Sequence, residues 1–484
     1  MSYNQKELPI KWTIKCIEEI FAPLEDGRTL HQGWSPQCEK EPSPSEDIWG
    51  VLKTTSIQAG EFQPEHNKRL PADLQPRSQI EVKKGDLLLT CAGPRVRCGV
   101  ACLVRQTRKR LMISGKMYRF RVDPAEYDAR FIEAFLQTEQ ARLAIDKMKT
   151  GSSDSGLNLT HERFRQLSVP IPPTLYDQRR IVAEIEKHFT RLAAGIAALR
   201  RVQANLKRYR AAVLKAACEG RLVENEVSMK KAEGQSVETG EQLLQRILTE
   251  RRKNWQGRGK YKEPVAPDTA NLPILPEGWV WVTWDMVLAT EDGAFKRGPF
   301  GSALKKSIFV KEGFKVYEQY CPINDDCSYA RYYITADKFE EMKSFEVKAG
   351  DYLISCSGVT LGRITRVPAN SERGIINQAL LRVRMNDHLI DHRYFLHLFR
   401  SVPFQKAIFD NSTGSAIPNV KGVKELKAMV IPLPPLAEQT RIVAEVERRL
   451  SVVDEMETVV SANLQRASRL RQSILQRAFA GELV

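Results

Sequence analysis

The sequence lacks any apolar run approaching the ~20 residues that a membrane-spanning helix needs, and no charged-then-apolar leader opens it. No membrane association is expected, and the expected compartment is the cytoplasm. Cysteine is sparse, nine in 484 residues. An odd count at that density fits free thiols in a reducing compartment and excludes a disulfide framework. No Cys-x-x-Cys pair occurs: Cys98 and Cys102 are four apart, Cys321 and Cys327 six apart, and zinc is not expected. His388, His392 and His397 share part of a helical face and read as surface histidines. The phosphate loops Gly-x4-Gly-Lys-Ser/Thr and Gly-x-Gly-x-x-Gly are both missing. So is the Asp/Asn/Ser-Pro-Pro-aromatic motif of an amino-methyltransferase, because the Pro-Pro pairs are followed by Thr174 and Leu436. Glu341-x-Lys343 lies too far from Pro267-Asp268 to form a nuclease motif. No catalytic residue and no metal ligand is assigned. Acid is also in deficit, 59 Asp+Glu against 74 Lys+Arg, a net charge of +15. That surplus makes a polyanion the leading partner.

What the sequence does contain is an internal repeat. RIVAEIEK (180–187) returns as RIVAEVER (441–448), and at the same offset Gln178 matches Gln439, Leu214 matches Leu475 and CEGRLV (218–223) matches FAGELV (479–484). Pro-rich entries, VPIPPTL (169–175) and IPLPPL (431–436), precede both copies. Upstream, EVKKGDLLLTCAG (81–93) pairs with EVKAGDYLISCSG (346–358), Arg130 with Arg393, and TGS (150–152) with TGS (413–415). Trp12 falls opposite Trp279. Five matches in consistent order mean a tandem duplication. Each unit is a mixed α/β domain followed by a Pro-rich turn and a helix.

Heptad spacing runs through both helices. Ile185, Leu192, Leu199, Leu206 and Val213 occupy one position, and Phe189 and Ile196 lie on the other. In the second helix Val446, Val453, Val460 and Ile474 correspond, with Leu450 and Leu464. Five heptads of 3-4 spacing predict a coiled coil, antiparallel if a pseudo-two-fold axis relates the copies. At ~1.5 Å per residue the helix spans about 55 Å, longer than the 34–36 Å of one DNA turn, which suits a ruler between two reading heads. Residues 224–271 read as a polar linker with one short helix at Leu243, Leu244, Ile247 and Leu248.

The domains supply candidate DNA contacts. Residues 87–122 hold nine Arg/Lys and no acid: Arg95, Arg97, Arg105, Arg108, Lys109, Arg110, Lys116, Arg119 and Arg121. Phosphate contact is the better reading of such a run. KRGPFGSALKK (296–306) places Lys296, Gly298, Phe300, Gly301, Ser302 and Lys305 where bare backbone N–H groups can approach phosphate. Trp34, Gln37, Lys53, Thr54, Thr55 and Arg363 are further candidates. Gly151, Ser152, Gly414 and Ser415 of the TGS pair join them. Asn377 and Gln378 are side-chain types that pair bidentately with adenine.

The helix segment LPPLAEQTRIVAEVE, the terminal RQSILQRAFAGELV and the central ERRKNWQGRGKYKEP are the most specific stretches. With two variable α/β domains, each followed by a Pro-Pro turn and a RIVAEIE-type helix, the chain resembles the specificity (S) subunit of a bacterial type I restriction–modification enzyme. The resemblance covers essentially its whole length. It implies target recognition domain 1 at 1–175 and a spacer helix at 176–223. A central region at 224–271, target recognition domain 2 at 272–436 and a second spacer helix at 437–484 follow. It also implies a non-catalytic subunit reading a bipartite, asymmetric double-stranded DNA target near the nucleoid. Two methyltransferase (M) subunits and two restriction/motor (R) subunits would be its partners. S-adenosylmethionine, ATP and Mg²⁺ would belong to those partners, with no cofactor in this chain. Two rival readings are a self-sufficient restriction–methylation enzyme, for which the motif is missing, and a basic coiled-coil scaffold without sequence reading. Charge is uneven: 176–223 carries eleven Lys/Arg against four acids, while 437–484 carries seven of each.

Overall fold

A computed structural model describes residues 11–255, 260–300, 303–358, 360–409 and 419–483. The chain forms two compact units, 1–201 with 460–484, and 202–459. Their boundaries fall inside the two long helices, so each unit holds one α/β domain, the start of one helix and the end of the other.

The domain sheets are built alike. In the first unit Leu87–Thr90, buried on both faces, lies between Ala101–Leu103 and Met117–Val122. Phe21–Ala22 and Leu30–Gln32 also pair with Met117–Val122. In the second unit Tyr352–Ser355 lies between Ile364–Arg366 and Leu380–Val383, and Phe295–Arg297 pairs with the latter. All these pairings are antiparallel. A parallel pair recurs too, Gly50–Leu52 with Leu111–Met112 and Phe314–Tyr317 with Gly374–Ile376. A closing ladder joins Thr13–Cys16 to Ser168–Ile171, and Val280–Thr283 to Val430–Leu433. The duplication therefore extends through the domains, well beyond the segments whose sequences match.

The long helices, Leu175–Cys218 and Leu436–Phe479, are 44 residues each. Both end on a left-handed glycine, Gly220 at φ 64° and Gly481 at φ 74°. The N–H of Arg221 reaches the Ala216 carbonyl and that of Glu482 the Arg477 carbonyl, the closing bonds of a Schellman cap. In the first unit Leu475, Ala478 and Phe479 share a core with Ile181, Val182 and Ile185. In the second, Val213, Leu214, Ala217 and Cys218 share one with Ile442, Val443 and Val446. Within each unit the helical segments are thus antiparallel. Of the heptad residues, Ile185, Leu206, Val213, Val446, Val453, Val460 and Ile474 are buried. Phe189, Leu192, Ile196, Leu199, Leu450 and Leu464 are half-buried.

Gln178 and Gln439 fasten each helix to its domain. Gln178 Oε1 accepts from the Asp128 N–H at 2.9 Å, and Gln439 Oε1 from the Asp391 N–H at 2.7 Å. Both aspartates cap the domain helix that follows. The central region is more than the expected one-helix linker. It holds Glu226–Ala232 and Gly240–Lys253, and Leu243, Leu244 and Ile247 of the latter are buried in the second unit's core.

On the helix His392–Arg400, burial first, then Arg400 and Arg393, bring His397 down to about 4. The unfolded chain takes up a proton below pH ~6.5 that the folded unit refuses. This contribution to stability is whole above pH ~6.5 and is lost as pH falls toward 4. Urea midpoints of the second unit should decline over that window, and His397→Gln should flatten the decline.

Candidate nucleic-acid interface

Each main sheet runs out at a glycine. Gly33 follows Leu30–Gln32 and Gly298 follows Phe295–Arg297. A Cβ on Gly33 would collide with the Ile113 carbonyl, and one on Gly298 with that of Asn377. The two strands therefore pass backbone to backbone there, which only glycine permits. Beside that crossing, the Cys91 N–H donates to the Lys116 carbonyl at 2.8 Å, and the Cys356 N–H to that of Ala379 at 2.8 Å. Next, Ala92–Gly93 pairs with Leu157–Asn158, while Ser357 bridges to Asn419. The same four segments thus form one edge of each domain. Their side chains differ: Gln32, Trp34, Ala92 and Lys116 in one domain answer to Arg297, Pro299, Ser357 and Ala379 in the other. Asn158 and Asn419 are shared.

In the first unit Trp34 and Lys116, of the expected residues, stand on this edge. Trp34 is half-buried, with the Arg77 guanidinium 4.3 Å above its ring, and Gln37 is exposed. Gln32 donates to the Gly115 carbonyl at 2.7 Å. Lys116 is exposed, with no side-chain partner among the described residues. Arg95 pairs with Asp146 at 2.7 Å and with Asp154 at 2.9 Å, which ties the Gly151–Ser152 loop to the Arg95 turn. Arg97 turns inward instead, donating to the Thr54 and Ile57 carbonyls and so bracing Lys53, Thr54 and Thr55.

In the second unit Phe300 projects almost fully, 90% exposed, and Lys305 and Gln378 are exposed as well. Lys296 Nζ sits 4.6 Å from the Phe345 ring. Gly298 does not present a bare N–H to phosphate, since that group donates to the Leu380 carbonyl at 2.8 Å. Asn377 accepts from the Ala379 N–H at 3.1 Å through its side chain. Arg363 is exposed and carries no ion pair among the described residues. Gly301, Ser302, Gly414 and Ser415 lie outside the described residues.

Sequence reasoning missed Arg297, Gln319, Ser357 and Asn419. Arg297 donates to Asn419 Oδ1 at 2.7 Å and Gln319 to Ser357 Oγ at 3.2 Å, which joins three strands' ends into one polar edge. Asn419 stands at the helix offset from Asn158, a signal present in the sequence. Gln319 had none, because its counterpart Thr54 is a different side-chain type.

The basic run 87–122 is not a continuous phosphate-binding face. Arg105 pairs with Glu133 at 2.6 Å, Arg110 with Asp47 at 3.7 Å, and Arg108 donates to the Ser45 and Ile48 carbonyls. Arg119 and Arg121 both reach Asp86 at 2.6 Å and also engage Glu25. Lys109 and Lys116 alone of the nine carry no described partner. The cluster is itself repeated. Arg384 reaches Asp351 at 2.7 Å and Glu291 at 2.9 Å, with Arg382 3.9 Å from Asp351. Burial first, then Arg384, pushes Arg382 down to about 10. Glu25 is pushed up by burial, but its own backbone N–H, Lys83 and Arg119 outweigh this and hold it at about 2. Among the described residues no group of three metal-ligating side chains assembles, and no helix is long and apolar enough to cross a membrane.

Comparison with known proteins agrees with this architecture. Residues 295–458 match the family model of the type I restriction modification DNA specificity domain. The type I restriction enzyme EcoEI specificity subunit of Escherichia coli is 42% identical over 183 residues, spanning 38% of this chain and 30% of that protein's length. The EcoBI specificity subunit of Escherichia coli is 25% identical, over 77% of this chain and 69% of that one. A solved chain, from work on complex assembly and conformational transition of the type I R-M system, shares the fold. Its TM-score is 0.64 at 19% identity, with 99% of this chain and 100% of that one covered. The match to the type I restriction modification DNA specificity domain falls within the second unit, and the first unit repeats the same scaffold.

Proposed function

We propose that the chain is the DNA sequence-specificity subunit of a type I restriction–modification complex in the bacterial cytoplasm. Each domain edge reads one half of a bipartite target, and the helices hold the gap between halves. The observation that carries this reading is one scaffold edge built twice with unlike side chains. Gln32, Lys116 and Asn158 on one edge and Arg297 and Asn419 on the other are of the residue types that discriminate base pairs in the major groove. Unlike edges predict unlike half-sites.

The subunit performs no chemistry of its own in this reading. Methylation and ATP-driven restriction, with S-adenosylmethionine, ATP and Mg²⁺, fall to two methyltransferase and two motor subunits. Val452, Met456 and Val459 support a partner on the helices, since they form an exposed apolar stripe at helical spacing. The test is binding to a random-sequence DNA library with the methyltransferase subunits present. Enrichment of one bipartite sequence supports the reading, and uniform binding sinks it. Inserting one heptad into both helices should lengthen the gap and leave both half-sites unchanged. Altered half-sites would end the ruler model.

A further inference from the structure

The second unit contains a cavity of about 420 Å³. Its lining includes Arg210, Arg363, Arg400, His397 and Gln405, with Asp325 the one acid. The duplication identifies the corresponding place in the first unit. There Phe189 stands where Leu450 stands, Gln137 where Arg400 stands, and Arg471 where Arg210 stands. Arg471 lies 4.3 Å over the Phe189 ring and donates to Gln137 at 3.0 Å, covering the position. In the second unit Arg210 turns instead to Asp454 and Glu457. The smaller Leu450 leaves room, and His397 replaces Ala134.

The lining is built for negative charge. Arg400 is tied to Asp325 at 3.0 Å, but Arg363 has no acidic partner among the described residues. His397 Nε2 is buried with no hydrogen-bond partner among the described residues, and in its Nε2–H tautomer it would donate to an acceptor placed there. A space of this size accommodates a phosphate and part of what carries it.

We propose that this cavity is an oxyanion site that takes a phosphate group between Arg363 and Arg400, with His397 as a further donor. Arginine offers the forked donors that match phosphate geometry. The site is joined to the reading edge, because the Arg363 N–H donates to Ser355 Oγ at 3.0 Å and Ser355 leads directly into Cys356 and Ser357. The phosphate has two possible sources, a free phosphate compound or the DNA backbone.

The test uses the full chain with labelled imidazoles, His397 assigned through His397→Gln. Inorganic phosphate and a short random-sequence duplex are titrated separately. A saturable shift of the His397 signal is expected, weakened about tenfold in Arg363→Gln and unchanged in Lys40→Gln. Response to phosphate alone identifies a free oxyanion, and response to the duplex alone a backbone phosphate. No saturable shift with either probe, or a shift that Arg363→Gln leaves intact, overturns the site. Neither titration requires sequence-specific recognition, so failure of that reading would leave this result standing.

Discussion

Asp86→Ala should destabilise the first unit by about 3–5 kcal/mol, because it leaves a buried arginine without its counter-charge. Asp86 is 0% exposed and the Arg119 side chain 1%. Asp86 Oδ2 also accepts from the Lys83 N–H at 2.6 Å, so the same carboxylate closes the turn before the central strand. Glu25, the remaining acid, stands nearly half exposed and cannot replace it. Amide exchange in Leu87–Thr90 measures the loss within this unit, without requiring the whole chain to unfold in one step. Replacing Asp86 and Arg119 together by Leu and Met should cost less than Asp86→Ala, since the buried Arg119 charge is then not stranded and Arg121 keeps Glu25. Asp351→Ala should act on the second unit in the same way. A loss below about 1 kcal/mol in either unit would contradict the assignment.

Gly298→Ala should impair reading of one half-site while the other survives. Its Cβ would enter the Asn377 carbonyl, and backbone cannot yield as a flexible side chain can. The strand end must shift, at a stability cost of about 1–3 kcal/mol. Arg297, Asn377 and Gln378 shift with it. Two or three base contacts at about 1–3 kcal/mol each are then misplaced, and affinity for the selected duplex should fall by about 10²-fold or more. Affinity for random duplex at the same salt should change little, because phosphate contacts elsewhere persist. Equal losses on both duplexes would mean that Gly298 supports the fold and not the reading.

The long helices were legible because their signal is local and periodic, and the repeat because RIVAEIE and its copy align without a gap. Gln178 and Gln439 could be picked out by offset alone, although their bonds to Asp128 and Asp391 could not. The basic run misled for a physical reason. Glu25, Asp47, Asp86, Glu133, Asp146 and Asp154 all lie outside residues 87–122, and only folding brings them to it. The helix Glu226–Ala232 escaped because it is short and polar, and its start depends on the Asn225 cap and on Glu438. Gly298 was recognisable as a site of close approach, but what approaches it is the Asn377 carbonyl. The edge residues themselves were the least legible, since side chains that differ between the two copies leave no repeat to find.

The central claim is that two copies of one scaffold read two different half-sites. Library selection on the unaltered chain, on Gly33→Ala and on Gly298→Ala, each with the methyltransferase subunits, tests it most directly. The account predicts a bipartite sequence with unlike halves, one half blurred by each substitution and the gap constant in all three. A palindromic sequence, or both halves blurred by either substitution, would contradict it.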